Sequence, residues 1–278
     1  MPNLSDGQGD CQAAESAGRA LPRRTFLAAS AAAGAAALLA ACSSGGDDDA
    51  TSATTSTAPV STAPPSTTPT TTTPAVARFV DRGTDARRRV ALTFHTNGDL
   101  TLANQLLGVL AARQTVMTAF VVGDWLDANP SWGKRLVDAG HEVANHTYTH
   151  PSFLTLSHDA MLSEVTRCRD VLTRTTGTPG TLFRPSGTDD GTVTPPATVL
   201  SVAAEAGYPT VLGFDVDPFD YQDPGADAVV QRTLAAVKPG SIVSLHFGHA
   251  GTIAAMPAIL DGLAQRDLTP VTASKLLA

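Results

Sequence analysis

Cysteine is scarce in this 278-residue chain: Cys11, Cys42 and Cys168 are too few for a disulfide scaffold. Positive charge is in deficit. The 19 Lys and Arg against 26 Asp and Glu leave a formal charge of −7, so the basic footprint of a nucleic-acid binder is missing and no such partner is expected. Residues 51–74 contain neither a charge nor a large apolar side chain. With 11 Thr, 5 Pro, 4 Ser, 3 Ala and one Val, they cannot bury a core. The apolar run at 27–41 covers roughly 15 residues, short for a membrane span. No G-x-G-x-x-G follows the first expected strand, which speaks against a dinucleotide-binding sheet, and no segment of the chain repeats.

What is present begins with an address. Arg23-Arg24 precedes the Ala/Leu-rich run, which ends in Leu39-Ala40-Ala41-Cys42. Paired arginines, a short apolar stretch and small residues before a cysteine describe a twin-arginine lipoprotein signal over 1–41. Cys42 is then the acylated first residue of the mature chain, and Cys168 is left without a disulfide partner. Residues 42–77 read as a Thr/Pro/Ser-rich disordered tether, whose ~35 residues reach at most ~110 Å if extended. The expected location is extracytoplasmic, on the outer face of the cell membrane, with a lipid anchor as the only membrane contact.

One folded domain of about 200 residues, 78–278, remains. Strand-like segments at 90–94, 115–122, 142–144, 181–183, 210–214, 242–245 and 270–273 alternate with helical patterns at 100–113, 132–139, 157–175, 196–206, 226–237 and 253–265. Alternation of this kind predicts an α/β fold with a parallel sheet. About seven units favour a distorted (β/α)7-type barrel, closed or nearly so, and a monomer is expected.

In such barrels chemistry gathers at the carboxyl ends of the strands. The polar clusters fall there: His95 to Asp99, Asn145 to His150, Arg184 to Gly187, Asp215 to Tyr221, and His246 to His249. His146 and His150 are four residues apart. By spacing alone, H-x-x-x-H describes two loop histidines as well as a metal pair; the strand-end setting and the other four clusters favour the metal, zinc first among divalent cations.

His146-Thr147-Tyr148-Thr149-His150-Pro151 resembles the H-[ST]-x-x-H-P motif of the polysaccharide deacetylases, carbohydrate esterase family 4 with its NodB-homology domain. Phe183-Arg184-Pro185 is similar to that family's F-R-P-P segment, Asp217 to Tyr221 to D-x-x-D-W, and Leu245-His246 to its L-H motif, all in family order from about Val90 to Leu276. The resemblance implies a hydrolase that removes N- or O-acetyl groups from a polysaccharide, peptidoglycan or a related glycan, with a divalent metal. It implies that His146 and His150 bind the metal and that His246 is the general acid. It further implies that Asp217 or Asp220 tunes that histidine, that Arg184 holds the acid–base carboxylate, and that Tyr221 and Phe219 wall the acetyl group.

The first motif departs from the family's T-F-D-D-G, whose first Asp is the base and whose second is a metal ligand. Here Thr93-Phe94-His95-Thr96-Asn97-Gly98-Asp99 stands in its place, and a neutral Thr96 hydroxyl is a poor zinc ligand. Asp99 could fold back over the turn-prone Asn97-Gly98 and supply the carboxylate. Alternatively, His95 is a third nitrogen ligand and Asp99 the base, since three-histidine zinc sites are competent. Ser186-Gly187 also replaces the usual Pro-aromatic pair in the third motif. Two functions follow: a metal-dependent deacetylase of an extracellular polysaccharide, or a catalytically silent glycan-binding lipoprotein on the same fold. A glycosidase would need two carboxylates facing each other across a bond, and Asp217 and Asp220 share one loop.

Overall fold

The computed structural model describes residues 76–84 and 87–278. The expected signal at 1–41, its Cys42 and the tether up to residue 75 lie outside the described residues. Among the described residues eight strands, all parallel, form one curled sheet in the order β1-β6-β5-β4-β3-β2-β7, with β8 paired to the first residues of β2. They are β1 (Arg78–Val80), β2 (Arg89–Thr96), β3 (Thr118–Val121), β4 (Glu142–Asn145), β5 (Leu182–Phe183), β6 (Thr210–Leu212), β7 (Ile242–His246) and β8 (Thr269–Val271). The helices are α1 (Leu100–Ala112), α2 (Gly123–Ala128), α3 (Ser131–Asp138), α4 (His158–Thr176), α5 (Ala197–Glu205), α6 (Ala226–Ala236), α7 (Ala250–Ala264) and α8 (Ala273–Leu277). A single bridge, Val216 to Val243, and the Gly83 N–H to Gly240 carbonyl bond at 2.8 Å cross the gap between the two sheet edges. The result is the expected distorted (β/α)7-type barrel.

Strand alternation divides the side chains between the outer and inner faces of the sheet, and those facing outward from β5 and β6, Phe183 and Val211, pack in a cluster of their own with Phe153, Val199 and Tyr208. Val90, Leu92 and Phe94 of β2 face outward and join Ala119, Val121, Val143, Val243 and Leu245 under α1, α3, α4 and α7. Ala91, Phe120, Ala144, Leu182, Leu212 and Ile242 face inward and fill the barrel's lower half. The same period carries each strand's next inward positions upward. Thr93 and His95 therefore stand above Ala91, His146 above Ala144, Arg184 above Leu182, and Ser244 and His246 above Ile242.

Several elements differ from the sequence expectation, among them α8, which begins at Ala273 where the last strand was expected to continue. β3 starts at Thr118 rather than 115, because Gln114 takes φ +49° and the Thr115 N–H still bonds back to the Leu110 carbonyl of α1. α2 was not expected; its first two N–H groups donate to the carbonyls of Thr147 and Tyr148, a tertiary contact with no local signal. β1 is three residues long and exists through its pairing with β6.

Candidate functional site

The inward side chains at the strand ends line one cleft of about 320 Å³, which includes His95, His146, His150, Arg184, Asp217, Tyr221, Ser244, His246 and His249. The His146–His150 loop is held in an unusual shape. Thr147 and His150 both take positive φ, +67° and +56°, a conformation that a β-branched residue adopts only when its surroundings impose it. Those surroundings are identifiable. Asn145 Oδ1 accepts from the Thr147 N–H at 2.9 Å, and Thr147 Oγ1 donates to Ser186 Oγ at 3.0 Å. Glu164 accepts from the Tyr148 and Thr149 N–H groups at 2.9 and 2.7 Å. Ser186, which departs from the family pattern, thus ties this loop to the end of β5, and it also donates to the Pro151 carbonyl. The tight turn required to bring two histidines together is present, with ring centroids 4.9 Å apart.

Hydrogen-bond direction fixes several protons. His146 Nδ1 donates to the Arg184 carbonyl at 2.9 Å. Its Nε2 is therefore a bare lone pair, and it is buried without a partner. Arg184 is 1 % exposed, and burial pushes its pKa down to about 9, so it remains a cation at pH 7. It donates through Nε and Nη2 to the Leu212 and Gly213 carbonyls, and through Nη1 to Thr93 Oγ1 and His95 Nε2 at 2.9 and 3.1 Å. Arginine can only donate, so His95 Nε2 accepts. Burial, then the nearby His146 and His246, hold the His95 imidazole well below its ordinary pKa. Its one proton sits on Nδ1 and is donated to His246 Nε2 at 2.8 Å. His246 in turn donates from Nδ1 to Asp220 Oδ1 at 2.8 Å. Asp220, 1 % exposed, also accepts from the His246 N–H and from Thr252 Oγ1 at 2.8 and 2.6 Å.

Several expectations are corrected here. Asp99 does not fold back. Gly98 takes φ +106°, and a Cβ there would lie 2.9 Å from Gly248 Cα. This turn delivers Asp99 to the exposed N-cap of α1, where it accepts from the Thr101 and Leu102 N–H groups. It is neither base nor ligand in this geometry. His95 is not a free metal ligand, because both of its nitrogens are engaged. Thr96 faces the outer core, with Oγ1 directed at the Phe120 carbonyl. Arg184 holds no carboxylate and grips His95 instead. Of the two aspartates offered to tune His246, Asp220 touches it. Asp217 lines the cleft and accepts from the Phe219 N–H at 2.7 Å, with burial pushing its pKa up. Tyr221 lines the cleft, its ring 5.3 Å from that of His246, whereas Phe219 lies outside the lining, 40 % exposed. The buried Cys168 thiol donates to the Val121 carbonyl.

A metal can be weighed against these residues. A histidine whose Nδ1–H is held by a carbonyl presents Nε2 as metal ligands do, so His146 fits and His150 stands beside it. The carboxylate half of such a site is missing. Among the described residues, no three His, Cys, Asp or Glu side chains converge as a metal cluster. Sequence reasoning missed Thr252 and Glu164, which shape the site from helices without any motif of their own, and it named Asn145 in a polar cluster without giving it a role. It also gave no role to His249, whose Nδ1 pairs with Asp223 at 2.9 Å on the cleft rim.

The family model described as polysaccharide deacetylase matches residues 82–211. The chain is 32% identical over 192 residues to a peptidoglycan-N-acetylglucosamine deacetylase of Bacillus cereus, covering 68% of this chain and 87% of that protein. It is 34% identical over 179 residues to a chitooligosaccharide deacetylase of Sinorhizobium fredii, covering 62% and 77%. Among solved structures, a CE4 family pseudoenzyme from Bacillus anthracis matches with TM-score 0.65 and 26% identity, over 74% of this chain and 70% of that one. A mutant of that pseudoenzyme with restored enzymatic activity matches with TM-score 0.67 and 25% identity, over 74% and 72%.

Proposed function

Because this chain belongs to the polysaccharide deacetylase family, we propose that it is a hydrolase that removes acyl groups of the acetyl type from a polysaccharide outside the cell. The observation that carries this reading is the pair of half-buried His246 and buried Asp220, with His246 sharing a cleft with the bare Nε2 of His146. The names of the relatives, deacetylases of peptidoglycan and of chitooligosaccharide, support a glycan substrate.

The residues divide the work as follows. Asp220 fixes the His246 tautomer with Nε2 unprotonated, which is the form of a general base. Once substrate and water displace the His95 Nδ1–H from it, Nε2 takes a proton from the attacking water. The resulting imidazolium, stabilised by Asp220, returns the proton to the departing sugar nitrogen or oxygen. The sequence expectation of a ready-protonated acid thus becomes a base that acts as acid in the second half of the reaction. His146 and His150 are the residues that would hold a divalent cation, zinc first, and such a cation would polarise the acyl carbonyl. Arg184 keeps His95 in place, and Tyr221 flanks His246 as one wall. Lipid anchoring through Cys42 would set the enzyme at the outer membrane face, within reach of wall polymers.

A second reading rests on specific observations. No carboxylate reaches the place of the family's first motif, His95 blocks His246 Nε2, and the B. anthracis neighbour is a pseudoenzyme. A glycan-binding protein without turnover fits these facts. Acetate release from a panel of acetylated glycans, with and without zinc, separates the two for the parent, His246→Ala and His95→Asp. Turnover by the parent that falls by roughly 10²–10⁴-fold in His246→Ala supports the hydrolase. A silent parent with turnover appearing in His95→Asp, which gives Arg184 a carboxylate, identifies the binding protein.

A further inference from the structure

Four buried side-chain nitrogen or oxygen atoms among the described residues make no hydrogen bond: Arg89 Nε, His146 Nε2, Thr233 Oγ1 and Ser244 Oγ. Only His146 and Ser244 belong to residues lining the cleft. A cation would account for the first. Nothing in the protein accounts for the second.

Ser244 sits on β7 on the same face as His246, two residues or about 6.6 Å deeper. It is 1 % exposed, and Ile242 below it belongs to the apolar filling of the barrel. Its register neighbour on β2 is Thr93, and that hydroxyl is committed: it donates to the Val243 carbonyl and accepts from Arg184. Phe214, Arg184 and Asp217 line the same cleft. With its carbonyl carbon at the level of His246, an acyl group whose far end runs down the strand would meet Ser244. An acetyl methyl offers a hydroxyl nothing, and an apolar side chain would receive it without stranding a donor. A dry serine hydroxyl is costly, and its cost is offset when the ligand brings a polar end to it.

We propose that the acyl group this cleft selects carries a hydroxyl on its terminal carbon, the hydroxyacetyl (glycolyl) amide of an amino sugar being the smallest case, and that Ser244 is the residue that recognises it. This selectivity presupposes the acyl-hydrolase function proposed above. The reaction is the same hydrolysis and needs no further reactant. The water oxygen bonds to the acyl carbon, the carbon–nitrogen bond breaks, a proton passes to the sugar nitrogen, and hydroxyacetate leaves in place of acetate.

Two measurements on the full-length protein test this: titration of hydroxyacetate and of acetate, and release of each acid from N-hydroxyacetyl and N-acetyl glucosamine oligomers. The parent should bind hydroxyacetate about tenfold more tightly than acetate, the worth of one well-made hydrogen bond. Ser244→Ala should erase that difference without weakening acetate, and Ser244→Thr, which keeps the hydroxyl, should retain part of it. Because Ser244→Ala removes a stranded hydroxyl, it should also melt no lower than the parent. Equal binding of the two acids by the parent, or faster release of acetate than of hydroxyacetate, overturns the selectivity and leaves the hydrolase reading standing. Selective binding of hydroxyacetate with neither acid released upholds the role of Ser244 and removes the hydrolase reading.

Discussion

Arg184 Nη1 lies 3.1 Å from His95 Nε2, so a buried cation meets an imidazole where the family resemblance places a carboxylate. Two consequences follow. The guanidinium has no hydrogen-bonded anion and is held by carbonyls, a hydroxyl and the faces of Phe120 and Phe214, 4.0 and 5.2 Å away. His95 is obliged to accept from it, which sets the proton order through His246 to Asp220. Replacing one residue of the first motif has therefore re-assigned the donors and acceptors along a whole wall of the cleft.

The position of Asp99 gives a sharp test. As the N-cap of α1 it serves the helix and not the reaction. Asp99→Ala should lower the melting temperature by a few degrees through the lost cap, while metal content and turnover stay at the parental level. A large loss of turnover without a change in melting temperature would show that Asp99 reaches the site after all.

Metal retention should depend on two imidazoles. His146→Ala with His150→Ala is expected to remove stoichiometric zinc from the purified protein, as measured by elemental analysis. With no carboxylate ligand, the parent's affinity should itself be modest, and mild chelation should strip the metal. Unchanged zinc in the double variant would refute the assignment.

His141 supplies a pH dependence away from the cleft. Burial lowers its pKa below the ordinary histidine value, and its Nδ1 accepts from the Met117 N–H at 3.3 Å, so protonation would break that bond. The folded state resists a proton that the unfolded chain takes up at about pH 6.5. Its stabilising contribution is thus complete above that pH and is lost as the pH falls towards the lowered folded value. Chemical denaturation between pH 7.5 and 5 should show falling stability, with a shallower slope in His141→Gln. Identical slopes would exclude His141 as a contributor.

The proposed location is tested at Cys42. Its change to Ala should shift the protein from the membrane fraction to the medium or leave an uncleaved precursor. Unchanged fractionation and processing would rule out the lipid anchor.

How much of this could be read in advance differs by residue. The strand ends bearing His146, Arg184 and His246 were legible because period-2 alternation and Gly or Pro punctuation are local properties. The pairing of His246 with Asp220 rather than Asp217 was not. Both aspartates lie in one loop, and the choice depends on the positive φ at Phe219 and on Thr252 arriving from α7. Asp99 misled because Asn97-Gly98 does form a turn, as its composition says, but the direction of that turn depends on Gly248, about 150 residues away in the chain.

By itself the sequence determined the alternation of strands and helices, the single folded domain after the Thr/Pro/Ser stretch, the family, and the five clusters from which a site could be drawn. These rest on periodicity and on short motifs, which act within a few residues. The tertiary structure alone decided which nitrogen carries each proton, that Asp99 caps a helix, that Ser186 closes the His146–His150 loop, and that the Ser244 hydroxyl is left without a partner. Each of these depends on the distance between groups brought together by the curl of the sheet. A hydrogen bond is made or lost within a few tenths of an ångström, a precision that no pattern along the chain encodes.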